Sequence, residues 1–108
     1  SGYMDADAYA ALRELADENG YVDDEYRIEY LRSHIQALKE AVEEDGVDLR
    51  AFLTWGPIDI LSSQGEMKKR YGFIYVNRTD EDLKDLKRTP KRSYNWFKRV
   101  IETNGEEL

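Results

Sequence analysis

A chain of 108 residues has room for one compact domain, and its 41% hydrophobic content with 12% aromatic residues suits a modest folded core rather than disorder. Without cysteine it can form neither disulfides nor thiolate metal sites, and with no long apolar run or leader pattern it reads as a soluble, cytoplasmic protein. The formal net charge of -7 is uneven: residues 1 to 54 hold 14 acidic and 5 basic groups and should repel nucleic acid and anionic lipid, whereas residues 55 to 108 hold 9 and 11 and could hold a small anion, although such asymmetry is also routine among solvated helices.

In chain order, Asp5 and Asp7 can cap a first helix whose stripe is Tyr9, Leu12, Leu15 and Ala16, with Asn19-Gly20 as its stop. A second helix is predicted from Asp23-Asp24-Glu25, where acids suit the positive end of the helix dipole, through Ile28, Leu31, Ile35, Leu38 and Val42 to Gly46. His34 falls off that stripe and has no second histidine to make a metal site. From Val47 to Trp55 the pattern alternates, with Val47, Leu49, Ala51, Leu53 and Trp55 on one face, which predicts a strand. Residues 56 to 70 form a polar loop, and Tyr71 to Asn77 a second strand rich in aromatic and β-branched residues. A charged connection follows from Thr79 to Arg88. Thr89-Pro90 then reads as N-cap and first turn of a last helix that buries Ser93, Trp96, Phe97, Val100 and Ile101 and ends at Asn104-Gly105.

Three segments carry a family likeness. They are Asp24-Glu25-Tyr26-Arg27-Ile28-Glu29-Tyr30-Leu31-Arg32-Ser33-His34-Ile35, then Asp45-Gly46-Val47-Asp48-Leu49 leading to Trp55-Gly56-Pro57-Ile58-Asp59, and Lys91-Arg92-Ser93-Tyr94-Asn95-Trp96-Phe97-Lys98. In this order they resemble the seventh helix, eighth strand and eighth helix of family 1 glycoside hydrolases. The nearest branch is the bacterial 6-phospho-β-glucosidases. The likeness covers about residues 17 to 105 and leaves 1 to 16 as a helix outside it. A complete (β/α)8 barrel takes roughly 250 residues. The resemblance therefore implies a single small α+β domain derived from the last strand-helix units of such a barrel, in the order helix-helix-strand-strand-helix.

The same resemblance directs attention to a sugar-phosphate loop. In 6-phospho enzymes of the family a Ser, a Lys and a Tyr hold the 6-phosphate, and these map onto Ser62, Lys69 and Tyr71. One ammonium and two hydroxyls suit a phosphate. Ser63 stands where phospho-galactosidase relatives carry Trp, which points to the gluco branch, and Trp55 matches the tryptophan that lines the sugar site. A plain reading stays open beside this one, with Lys69 solvated and Trp55 and Tyr71 simply packed.

The catalytic carboxylates do not follow. Glu18-Asn19-Gly20 matches the family's nucleophile tripeptide, but Ala10 to Asp17 is a helical pattern rather than an apolar strand. Only Tyr21 and Val22 separate the tripeptide from Asp23. Glu18 is therefore read as a turn residue. The family's acid/base lies in an Asn-Glu-Pro motif, and neither Pro57 nor Pro90 follows such a pair. The expectation is a 6-phospho-β-glucosidase-like protein of carbohydrate metabolism that is not hydrolytic by itself and self-associates. The alternatives are a sugar-phosphate binding module, or a fragment that hydrolyses 6-phospho-β-glucosides when the rest of a barrel complements it. A second copy and a sugar 6-phosphate are the expected partners, with no cofactor, metal, nucleic acid or membrane. Arg50 departs from the family pattern, which implies that its face of the chain is exposed or paired with an acid.

Overall fold

The computed structural model describes residues 16–61, 63, 65, 67 and 69–108. The first predicted helix lies outside them, and its stop falls within. Asp17 accepts from the main-chain N–H groups of Asn19 at 2.8 Å and Tyr21 at 3.0 Å, and Gly20 N–H donates to the Asp17 carbonyl at 3.0 Å. Gly20 turns the chain with φ of 81°, and a Cβ there would press on Thr89 Oγ1 at 2.8 Å. Glu18 is exposed within this turn.

Helix α1, Glu25–Asp45, follows the predicted stripe through Ile28, Leu31 and Ile35, all buried. Gly46 closes it in the left-handed region at φ 66°, and its N–H bonds the Ala41 carbonyl. Val42, at the far end of the stripe, is exposed. The reason is length. Helix α2, Arg92–Glu102, has 11 residues against 21 in α1, so at ~1.5 Å per residue it can cover only about half of α1.

Between the helices stand two short antiparallel strands, β1 (Ile74–Val76) and β2 (Arg88–Pro90), with Ile74 opposite Pro90 and Tyr75 opposite Thr89. This alters two sequence expectations. Thr89 does not cap the last helix; it pairs within β2, and α2 begins at Arg92 after Lys91. Proline is tolerated there because a two-stranded sheet leaves its missing N–H on an edge. Residues 47 to 55, predicted as the first strand, take no regular structure. A strand needs a neighbour to satisfy its backbone. Among the described residues this segment finds none until Pro57-Ile58-Asp59 runs parallel to β1. Phe73 N–H donates to Pro57 O at 2.8 Å, and Asp59 N–H to Ile74 O at 2.9 Å. Among the described residues the order is helix-strand-strand-helix, an α+β arrangement and not a closed barrel. Arg50 is exposed and paired with Asp48 at 2.9 Å, as its departure from the family pattern implies.

Leu31, Ile35, Phe73 and Val100 form the core, with Trp96, Phe97 and Leu108 packed against it. Phe73 and Phe97 stack with ring centroids 4.9 Å apart. Ile101, predicted on the buried side of α2, is 66% exposed, because the core contacts of α2 run along Trp96, Phe97 and Val100. No helix among the described residues is long and apolar enough to cross a membrane.

Candidate functional site

A groove of about 510 Å³ lies between the first half of α1 and the irregular segment that precedes Trp55. Helical spacing sets one wall. Tyr26, Arg27, Tyr30 and His34 recur three and four apart, beside the stripe that packs into the core. The opposite wall includes Trp55 and Tyr71. Tyr30 and His34 lie ring to ring at 4.3 Å, with His34 Nδ1 2.8 Å from the Tyr30 carbonyl. The volume and the aromatic walls suit a small organic ligand.

The structure thus brings together Trp55 and Tyr71, two of the four predicted ligand residues. Lys69 is half-buried in the same loop but is not among the groove-lining residues. Ser62 lies outside the described residues, and its neighbour Ser63 does line the groove. The helical wall escaped sequence reading. Its signal was the aromatic and basic spacing of Tyr26, Arg27, Tyr30 and His34 alongside the apolar stripe.

Beneath the groove runs a buried polar network. Asp24 takes Arg27 Nη1 at 2.5 Å on one side, and Ser93 N–H at 2.8 Å and Ser93 Oγ–H at 2.5 Å on the other. It stands at the N-cap position of α1 but satisfies the first turn of α2, so one carboxylate joins both helix starts. Arg27 continues to Tyr26 Oη at 2.9 Å and to the Arg70 carbonyl at 2.5 Å. The Arg70 guanidinium donates to Val76 O at 2.9 Å, Arg78 O at 2.5 Å and Asp59 Oδ2 at 3.3 Å, and lies over the Tyr75 ring at 4.3 Å. The other Asp59 oxygen accepts from Lys91 Nζ at 2.9 Å and Gly72 N–H at 3.0 Å.

Electrostatics follow burial. Desolvation pushes the Asp59 carboxyl up to about 6, against the pull of the Gly72 N–H and of Arg70 and Arg27. Desolvation likewise pushes the Lys91 ammonium down to about 6. The Tyr26 phenol is raised to about 12 by burial, with Arg27 opposing, and so stays protonated as a hydrogen-bonding wall group. Sequence reading missed Asp59 and Lys91. The available signal was Asp59 as a lone acid between Ile58 and Ile60-Leu61, a setting where a carboxylate is buried only with partners. No metal-binding cluster of three or more His, Cys, Asp or Glu occurs among the described residues.

The sequence model of glycosyl hydrolase family 1 matches residues 8–106, so the family likeness reaches into the stretch 1 to 16 that the sequence reading left outside it. The chain is 58% identical over 93 residues to the aryl-phospho-β-D-glucosidase BglA of Bacillus subtilis, which covers 85% of this chain and 19% of that enzyme. It is 53% identical over 91 residues to the 6-phospho-β-glucosidase AscB of Escherichia coli, covering 83% and 19%. It is 36% identical over 86 residues to a 6-phospho-β-galactosidase of Leptotrichia buccalis, covering 80% and 17%. The chain thus spans about a fifth of the length of these relatives, 19% in BglA. With the model matched over nearly all of its length, the chain belongs to glycosyl hydrolase family 1.

Proposed function

We propose that this chain forms the sugar-phosphate-recognising part of a 6-phospho-β-glucosidase-like protein of carbohydrate metabolism and does not itself cleave glycosidic bonds. One observation carries this reading. The groove gathers Trp55 and Tyr71 into an aromatic cleft, and none of its described lining residues is an acid. Retaining hydrolysis needs two carboxyl groups ~5 Å apart, flanking the scissile bond. Among the described residues the buried carboxylates Asp24 and Asp59 are engaged with Arg27 and Ser93, and with Arg70, Gly72 and Lys91. Glu18 is an exposed turn residue. In this reading Trp55 stacks on the sugar, and Lys69, Tyr71 and Ser62 hold its 6-phosphate. A polypeptide that completes the barrel would bring the carboxylates. The test is turnover of a chromogenic 6-phospho-β-glucoside. The isolated chain should show none, and turnover that disappears with Glu18→Gln would overturn the reading.

A second reading, self-association in a cytoplasmic protein, is favoured by the exposure of Leu53 at 88%, Trp55 at 69% and Ile101 at 66%. Residues 47 to 55 keep a strand's alternation without a strand partner among the described residues, and such a segment tends to pair with another copy. Light scattering tests it, and a strict monomer at tens of micromolar would dismiss it.

A further inference from the structure

Two side chains of the proposed ligand loop, Lys69 and Tyr71, flank Arg70, whose φ of 46° is left-handed. A non-glycine residue holds that conformation at a cost and keeps it only where its surroundings fix it. At Arg70 they do. Its N–H donates to Met67 O at 3.3 Å, its carbonyl accepts from Arg27, and its guanidinium is tied to Val76, Arg78 and Asp59. Beyond Tyr71, Gly72 N–H donates to Asp59 Oδ1. One carboxylate therefore grips the residue before Tyr71 by its side chain and the residue after it by its main chain. Asp59 is itself held from behind by Lys91, and it is anchored to β1 through its own N–H. The approach is close enough that a Cβ on Gly72 would meet the Ile58 carbonyl carbon at 2.4 Å.

We propose that Asp59 is the positioning residue of the sugar-phosphate loop: by holding the Arg70 guanidinium and the Gly72 N–H it fixes the backbone on both sides of Tyr71 and aims the phenol at the groove. It touches no ligand and acts through Arg70 and Gly72. The ligand part of this inference rests on the reading under Proposed function, whereas the loop part concerns the chain alone.

The experiment separates the two. Removing Asp59 alone would also disturb the buried Lys91, which donates to it, so the variant is Asp59→Leu/Lys91→Met, with Asp59→Asn/Lys91→Met as the conservative partner that keeps an acceptor for Gly72 N–H. Amide hydrogen exchange is followed at Arg70 and Gly72, and at Leu31 and Ile35 in α1 as reference. The expected result is exchange at least tenfold faster at Arg70 and Gly72 in the leucine variant. Exchange in α1 should be unchanged, and the asparagine variant should show partial restoration. A merely structural role would speed both regions together; that outcome, or unchanged exchange at Arg70 and Gly72, overturns the proposal. Calorimetry with glucose 6-phosphate and with glucose gives the ligand arm, where the leucine variant should lose at least tenfold of the preference for the phosphate. If the unaltered chain shows no such preference, the sugar-phosphate reading falls, and the exchange result still decides the role of Asp59.

Discussion

Lys91 Nζ lies 2.9 Å from Asp59 Oδ1, and both side chains are wholly shielded from solvent. The pair joins the start of α2 to the segment that runs beside β1, 32 residues earlier in the chain. Removing Asp59 takes the acceptor from Lys91 and from the Arg70 guanidinium together, and breaking a buried pair in this way costs roughly 3–5 kcal/mol. Asp59→Ala should lose about that much in urea unfolding. Arg50→Ala, which breaks the exposed pair with Asp48, should change stability by less than about 1 kcal/mol. Comparable losses in the two variants would deny the buried pair its role.

The same pair sets a pH dependence with two limbs. Asp59 has a folded-state value of about 6, above its ordinary 3.8. Its contribution to stability is therefore fully present below 3.8 and is lost as pH rises through about 6. Lys91 has a folded-state value of about 6, below its ordinary 10.5, so its contribution is present above 10.5 and is lost as pH falls through about 6. Burial thus opposes ionisation of both groups, and the difference in melting temperature between the chain and Asp59→Asn/Lys91→Met should vary with pH between their ordinary values. A flat difference curve across this range would contradict the burial of both groups.

The shared helix start gives a third expectation. Asp24 accepts from both Ser93 N–H and Ser93 Oγ–H. Asp24→Ala removes the cap of α2 and leaves Arg27 short of a buried partner. It should cost more than the ~1 kcal/mol of an ordinary cap. Ser93→Ala loses only the hydroxyl bond. A double-mutant cycle should show coupling of about 0.5–3 kcal/mol between the two positions. Strict additivity would mean that the contact contributes nothing.

Gly72 and Gly65 form a matched pair of backbone probes. A Cβ at Gly72 would lie 2.4 Å from Ile58 C and 2.6 Å from Asp59 N, both main-chain atoms with little room to give. At Gly65 it would meet nothing within 4 Å, and only φ of 77° resists it. Gly72→Ala should therefore cost more than Gly65→Ala, at or above the ~3 kcal/mol upper end for an overpacked site. Gly65→Ala should cost only the ~1–2 kcal/mol of a left-handed alanine. Equal losses would rule out the close approach of Pro57-Ile58-Asp59 to β1.

These contrasts also explain what could be read from the chain. The course of α1 was legible because Ile28, Leu31 and Ile35 repeat at helical spacing and Gly46 can adopt the left-handed cap, both properties of local sequence. Motif likeness singled out Trp55 and Tyr71, and both line the groove. The strand at 47 to 55 was misread because alternation records which faces differ, not whether a neighbour is present to accept hydrogen bonds. Thr89-Pro90 carries a helix-start signature that pairing with Tyr75 overrides. Asp24 with Ser93, Arg27 with Arg70 and Asp59 with Lys91 are contacts between distant residues, and no periodicity encodes them.

Calorimetric titration with glucose 6-phosphate, set beside glucose, tests the central claim most directly. Sugar-phosphate recognition by this segment predicts binding that depends on the phosphate and weakens at least tenfold in Lys69→Ala, with a smaller loss in Tyr71→Phe. Equal heats for the two sugars, or a phosphate preference untouched by either substitution, would contradict it.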